Sequence, residues 1–248
     1  MIPQITTLRG TLHKEYGVPN QDAVIAKVIS GCDCAAVCDG VSLKSDWTFS
    51  NSEIASAICA KSAMDYLEAH LKSSLPKDEI AKFVEGAFYH ASKTLKESLR
   101  RKGIDELDCQ TTMVLMVLHK GVLYGGIAGD GGIIYQTKGG RTSMMVTQIK
   151  TSSSVYPIRC HEEWRFFRAG DALDPVIKAM AASDGVFDQL IFLKDRHIQS
   201  NFERIENLFS IGSIPQKQRE KWLRQTIENL PGNDDKSIAI FSTNSKAL

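Results

Sequence analysis

Residues 111–136 hold three short β-rich runs with Gly-containing turns between them: TTMVLMVLH (111–119), GVLYGGIAG (121–129) and GIIYQ (132–136). His119, Lys120 and Gly121 suggest a hairpin connection. Strands joined this tightly pair antiparallel, because a parallel crossover needs a dozen or more residues. Further strands are expected at DAVIAKVIS (22–30), which is rich in β-branched residues, at GCDCAAV (31–37), which continues as a second, buried one, and at WRFFR (164–168) and KSIAIFS (236–242). VIKAMAASDGVFD (176–188) is an apolar run that ends in an Asp-Gly pair.

Between the strand groups the hydrophobic period becomes helical. SNSE (50–53) has the spacing of a capping box, Ser50 to Glu53. The helix after it should carry Ile58, Cys59, Ala63, Tyr66 and Leu67 on one face. A second helix opens at Pro76 and buries Ile80, Val84, Ala87, Phe88, Ala91 and Leu95. REKWLRQTIENL (219–230) reads as a third, stopped by Pro231-Gly232. From about 137 to 176 the signal weakens into irregular chain. The class is α+β: antiparallel sheets with packed helices, rather than a doubly wound parallel sheet.

The chain has 248 residues, enough for one large domain or two small ones, and a formal net charge of +1. That balance gives no case for bulk binding to nucleic acid or a membrane surface. No run is long enough to span a bilayer, and MIPQITTLRG lacks the apolar core of a signal peptide. A cytosolic protein is expected. Cys32, Cys34 and Cys38 have even spacing, so one strand could point all three the same way. With no CxxC pair and no His nearby to complete a zinc set, they read as small buried thiols.

Acidic residues recur at the strand ends. Asp22 precedes the first strand of the 22–37 pair, Asp39-Gly40 ends the next, and Asp130 separates two later ones. Asp184-Gly185 follows AMAAS, and Asp234-Asp235 opens the last strand. Singly, each reads as a turn or cap residue. If they converge, their repulsion must be neutralised by protons or by a cation. An oxygen-only set selects Mg²⁺ or Mn²⁺ over zinc or copper. A glycine after the Asp lets its carbonyl and a metal come close. Two such ions would make a hydroxide-like nucleophile from water and clamp the oxygens of a phosphoryl group.

The ordered motifs NQDAV, CDGVS, CQTTMVLMVL, AGDGGIIY, ASDGVFD and NDDKSIAIF, spread over residues 20–241, resemble the metal-dependent Ser/Thr phosphatases of the phosphatase 2C family. The nearer likeness is to its compact bacterial branch. The resemblance implies a β-sandwich of two mostly antiparallel sheets flanked by helix pairs, spanning 1–248 as one catalytic domain. Metals would sit in a cleft at one end, with a flap at about 137–176. It implies two Mn²⁺ or Mg²⁺ ions, and hydrolysis of phosphoserine and phosphothreonine in proteins, such as the targets of a Ser/Thr kinase. Asp39 matches the carboxylate that bridges both ions, and Gly40 offers a carbonyl. Asp184 and Asp234 match ligands of the first ion, and Asp22 acts on the second. Asp130 matches the ligand of a weaker third ion, and Asp235 stands where the family often has Asn. Thr112 matches a strand Thr near the site.

Three departures bear on the chemistry. Gln21 stands where many members have Glu. Gly17 stands where many eukaryotic members have a phosphate-holding Arg, leaving Lys14, His13 or Arg9 as substitutes. Val41 stands where those members have a proposed general-acid His, which leaves His13 as a candidate proton donor. His161, in the flap-like segment, reads as structural or exposed. A phosphatase-like binding or sensor module with weak turnover is the second reading, favoured by Gln21 and the missing Arg. The glycines of GGIAGDGG (125–132) lack the spacing and following helix of a dinucleotide site. We expect a monomer, with no nucleic-acid or membrane partner.

Overall fold

The computed structural model describes residues 3–41, 50–72, 77–147, 155–191 and 202–242. The chain opens with strand β1 (Gln4–Leu8), the one-turn helix α1 (Thr11–Glu15), and the hairpin β2 (Asp22–Ile29) and β3 (Cys32–Val41). Two long helices follow, α2 (Ser52–His70) and α3 (Lys77–Lys102). Next come β4 (Gln110–Thr111), β5 (Met113–His119), β6 (Val122–Ala128), β7 (Gly132–Thr137), β8 (Thr142–Val146), β9 (Arg165–Ala169) and β10 (Val176–Ala182). The one-turn α4 (Asp184–Phe187), helices α5 (Phe202–Phe209) and α6 (Gln216–Glu228), and strand β11 (Lys236–Ser242) complete it.

The strands form two sheets, ordered β1-β11-β10-β7-β8 and β2-β3-β5-β6-β9, with β4 added to the end of β3. Every pairing is antiparallel. The two-residue loops behave as the sequence suggests. Ile29 pairs with Cys32 and His119 with Val122, and the residues between have positive φ: Ser30 50°, Gly31 80°, Lys120 47° and Gly121 76°. That left-handed pair is the type I′ turn whose twist matches the flanking strands.

Strand alternation sorts the core into three layers. On β3, Cys32, Cys34, Ala36 and Cys38 face α2 and α3, while Ala35 and Val37 face the other sheet. The inter-sheet layer joins those two to Val114, Met116, Ile127, Ile133, Ala181 and Phe241. On the far side, Met180, Ile238 and Ile240 pack against Ile205 and Phe209 of α5 and Leu223 and Ile227 of α6. The result is helix, sheet, sheet, helix. Burying each large aliphatic side chain contributes about 1.5–3 kcal/mol. Three of the thiols therefore do fill the helix-facing layer, and all six cysteines are free. Among the described residues, no helix is long and apolar enough to cross a membrane.

Some local readings need correction. The capping box does not form: Asn51 is the N-cap of α2 and makes no side-chain cap bond. Ser50 is drawn away instead, accepting hydrogen bonds from Gln21 Nε2 at 2.8 Å and from Ser52 Oγ at 3.0 Å. Pro76 lies outside the described residues. The stretch read as irregular holds β8, because TSMMV pairs with β7 through a tight turn. Asp184 does not end a strand but opens α4.

Candidate metal centre and the family it marks

Alternation also explains how apolar strands deliver carboxylates. Asp39 is in phase with Ala35 and Val37, so it continues the inter-sheet face of β3 past the end of the packed layer. Asp22 is its cross-strand partner on β2 and therefore shares that face. Asp130 lies between β6 of one sheet and β7 of the other. Asp184 is the first residue of α4, just after β10. All four thus reach the same end of the gap between the sheets.

Asp39, Asp130 and Asp184 each bring one carboxylate oxygen into a group whose members lie within 4.8 Å of one another. Asp130 and Asp184 are buried and Asp39 is half-buried. Asp22 stands beside this group. Ser183 Oγ donates to its Oδ2 at 2.8 Å, and its buried Oδ1 has no hydrogen-bond partner among the described residues. Asp234 sits at an open rim, its Oδ1 accepting from the Asp235 backbone N–H at 2.9 Å.

The electrostatics follow from crowding. Loss of water raises the Asp39 carboxyl well above its ordinary value, and the charges of Asp184, Asp22, Asp234 and Asp130 raise it further. Asp22 is pushed up to about 8, first by burial and then by Asp235, against the lowering effect of Ser183. Asp234 is raised by the protein around it and then by Asp184. Left to itself, this cluster keeps protons. A hard divalent cation relieves the same repulsion with an all-oxygen donor set, so the residues fit Mg²⁺ or Mn²⁺.

Several residues hold the cluster in place. Thr112 Oγ1 accepts from the Asp39 backbone N–H at 3.3 Å, while the Thr111 hydroxyl and the Thr112 N–H both donate to the Asp39 carbonyl at 2.8 Å. Ser183 and Thr111 are positions that sequence reasoning missed. The available signal was a hydroxyl one residue before Asp184, in phase with the inward-facing Ala179 and Ala181.

The glycines after the acids have a packing reason as well. A Cβ on Gly40 would lie 2.6 Å from the Ser52 carbonyl oxygen, and one on Gly185 would lie 1.9 Å from that of Asp235. Backbone occupies both spaces, so neither clash can be relieved by a rotamer change. Gly185→Ala is expected to destabilise the protein by about 2–4 kcal/mol, read as a lowered Tm in the absence of metal.

Five other residues singled out in the sequence lie outside the group of Asp39, Asp130 and Asp184. Asp235 turns both oxygens to the N-terminal segment: Gly10 N–H donates to Oδ1 at 2.6 Å, and Gln21 N–H to Oδ2 at 2.6 Å. His13 Nδ1 lies 2.8 Å from the same Oδ2. His13 is buried, and its pKa is raised first by that bond to Asp235. It is an anchor behind the cluster rather than an open group in the cleft. Gln21 is buried and points its amide at Ser50, away from the carboxylates. Gly17 is exposed on the loop after α1, with φ 71°. Lys14 is exposed, and it lines a cavity of about 230 Å³ with Arg9, Arg224, Lys236 and Asp234.

Comparison with known proteins agrees with this architecture. A bacterial serine phosphatase structure superposes with a TM-score of 0.72 at 11% identity, covering 100% of each chain. The serine/threonine phosphatase Stp1 from Staphylococcus aureus gives 0.70 at 12% identity, covering 98% of this chain and 95% of that one. The catalytic domain of the phosphatase PstP, solved with two manganese ions, gives 0.65 at 14% identity, covering 98% of each. At these identities the likeness concerns the fold. No curated protein matches the sequence. The family model described as protein phosphatase 2C, however, matches residues 9–228. Spanning most of the sequence, that match shows that the chain belongs to the protein phosphatase 2C family.

Proposed function

We propose that this chain is a metal-dependent phosphoprotein phosphatase whose chemistry is carried by Asp39, Asp130, Asp184, Asp22 and Asp234. The observation that carries the reading is the convergence of three carboxylates within 4.8 Å at the mouth of an otherwise apolar gap. Two Mn²⁺ or Mg²⁺ ions held there would supply an acidified water nucleophile and offset the charge on the phosphoryl oxygens. The chain's own groups do the positioning. Asp39 is fixed by Thr111 and Thr112, and Asp22 is aimed by Ser183. Asp235 and His13 tie the segment before β2 to β11, which sets the distance between Asp22 and Asp234. Asp235 is thus a positioning residue in this reading, and Gly40 and Asp130 complete the candidate ligand set.

The test is phosphate release from an aryl phosphate and from a phosphothreonine peptide by the purified protein. Release is expected with Mn²⁺ and is expected to stop with chelator. If the protein binds Mn²⁺ yet releases nothing from either substrate, the sensor-module reading replaces this one.

Phosphate recognition falls to the cationic cavity beside Asp234. Arg9 Nε is buried there with no hydrogen-bond partner among the described residues, and Lys14 stands at its exposed edge. Lys14→Ala is expected to raise the KM for the phosphothreonine peptide by about three- to tenfold with little change in kcat. An unchanged KM would remove Lys14 from substrate binding. The substrate is a phosphoprotein, the product of a Ser/Thr kinase. In this reading the protein is a monomer; a cytosolic location is supported by the six free thiols, and the lack of nucleic-acid or membrane partners by the small net charge.

A further inference from the structure

A second cavity, of about 410 Å³, lies between α3 and the segment 158–161, formed by residues outside the acidic cluster. Its lining carries three cations, Lys93, Lys96 and Arg159, against one carboxylate, Glu106. All three cations are exposed, and Lys93 Nζ comes only within 4.0 Å of Glu97. Leu95, Leu99 and Ile158 give it an apolar wall. Two aromatic rings border it: Tyr89 and His161 meet edge to face with centroids 5.8 Å apart, and Ser92 Oγ holds His161 Nε2 at 3.0 Å.

Gln110 supplies an independent sign of a ligand. It is only 2% exposed, and its Nε2 donates to the Glu106 carbonyl at 2.7 Å. Its Oε1 is buried and has no hydrogen-bond partner among the described residues. A buried acceptor left unsatisfied costs about 1–3 kcal/mol. Gln110 lines the cavity, and a donor that reached this oxygen from there would remove that cost. Cations at the rim, flat aromatic and aliphatic walls and an acceptor in need of a donor together match one chemistry: a planar ring with N–H groups joined to an anionic group.

The same residues touch the metal cluster's support. Gln110 and Thr111 form β4, which pairs with Val41 and Gly40 directly after Asp39. Ile158 N–H donates to the Thr111 carbonyl at 2.8 Å, and the Thr111 hydroxyl donates to the Asp39 carbonyl at 2.8 Å. We propose that this cavity is a regulatory site for a nucleotide-class ligand, whose binding shifts β4 and so alters turnover at Asp39. The binding half stands on the cavity alone, whereas the effect on turnover rests on the phosphatase reading above.

The experiment measures calorimetric binding of cyclic AMP and cyclic GMP to the full chain in Mn²⁺. As phosphodiesters, these probes are not monoester substrates. Adenosine and inorganic phosphate are the single-part controls. One cyclic nucleotide is expected to saturate below about 5 mM, at least about tenfold tighter than either part alone. Lys93→Glu with Arg159→Glu, both at exposed positions, should abolish that binding without lowering Tm, and Asp184→Asn should leave it intact. Saturating ligand should change kcat on a phosphothreonine peptide by about fivefold or more in the wild type and not in the charge-reversed variant. Absence of saturation, phosphate alone binding as tightly, or survival in the charge-reversed variant would each overturn the site. Loss of binding in Asp184→Asn would assign it to the metal centre instead. Binding with unchanged kcat in an active enzyme would overturn the regulatory role. An inert enzyme that still binds the ligand would overturn the phosphatase reading and, with it, the effect on turnover, leaving the binding site standing.

Discussion

Asp184→Asn is expected to lower Mn²⁺-dependent phosphate release by roughly 10²–10³-fold, the size usual for losing one preorganised electrostatic group. Asn keeps the volume and the polar tip at the first position of α4 but removes the charge. The loss should therefore fall on metal affinity and kcat, with Tm unchanged or raised in the absence of metal, because one repelling carboxylate is gone. Asp235→Asn provides the contrast. Asp235 accepts from Gly10, Gln21 and His13, so its replacement should destabilise by about 1.5–3 kcal/mol, typical of hydrogen bonds to a charged group. Turnover per folded molecule should fall much less than in Asp184→Asn. Parallel Tm and kcat measurements on both variants separate the roles. A folded but inert Asp235→Asn beside an active Asp184→Asn would sink the assignment.

The metal-free protein should lose stability as the pH rises from about 4 to about 8, and Mn²⁺ should restore it. Asp22 titrates near 3.8 in an unfolded chain and at about 8 in the fold, and Asp39 and Asp234 are also shifted up. Between those values the folded state holds protons that the unfolded chain has released, so each rise in pH favours unfolding. His13 acts in the same direction: its raised pKa makes its contribution full below the unfolded value and lost above the folded one. One pKa unit corresponds to about 1.4 kcal/mol. Even a few such units amount to a Tm drop of about 5–15 °C for a chain of this size. Mn²⁺ should then raise Tm strongly at pH 8 and little at pH 5, where protons compete for the same oxygens. Thermal melts across that range, with and without chelator, check it. A metal-free Tm that is flat or rises with pH would mean the carboxylates are not held together.

The fold class was legible because the three runs of 111–136 leave room for little except hairpins, and two-residue turns at Lys120-Gly121 fix their pairing. The cluster was legible as a pattern of acids at strand ends, since alternation carries Ala35, Val37 and Asp39 to one face. Asp235 was not, because its role depends on where α1 and the loop before β2 come to rest, more than 200 residues away in sequence. Nothing local separates it from Asp234. His13 was misplaced for the same reason. The short elements β1, β4, β8 and α5 also escaped sequence reasoning. The three strands have few residues and take their structure from a partner strand, whereas α5 does carry a helical period of its own, Phe202, Ile205, Leu208 and Phe209, over only eight residues.

The Asp235 tether has a consequence in time. It joins Gly10 and Gln21 to a residue 225 and 214 positions later, and Ser183 reaches Asp22 across 161. The first strand also finds its partner in the last, as β1 pairs with β11. Such contacts form late, after the costly closure of long loops. A nascent chain still emerging from the ribosome has its hairpins and its helix pair before it has a site. The catalyst therefore cannot assemble before Asp234, Asp235 and β11 have been made, and copies that stop short of them should remove no phosphate.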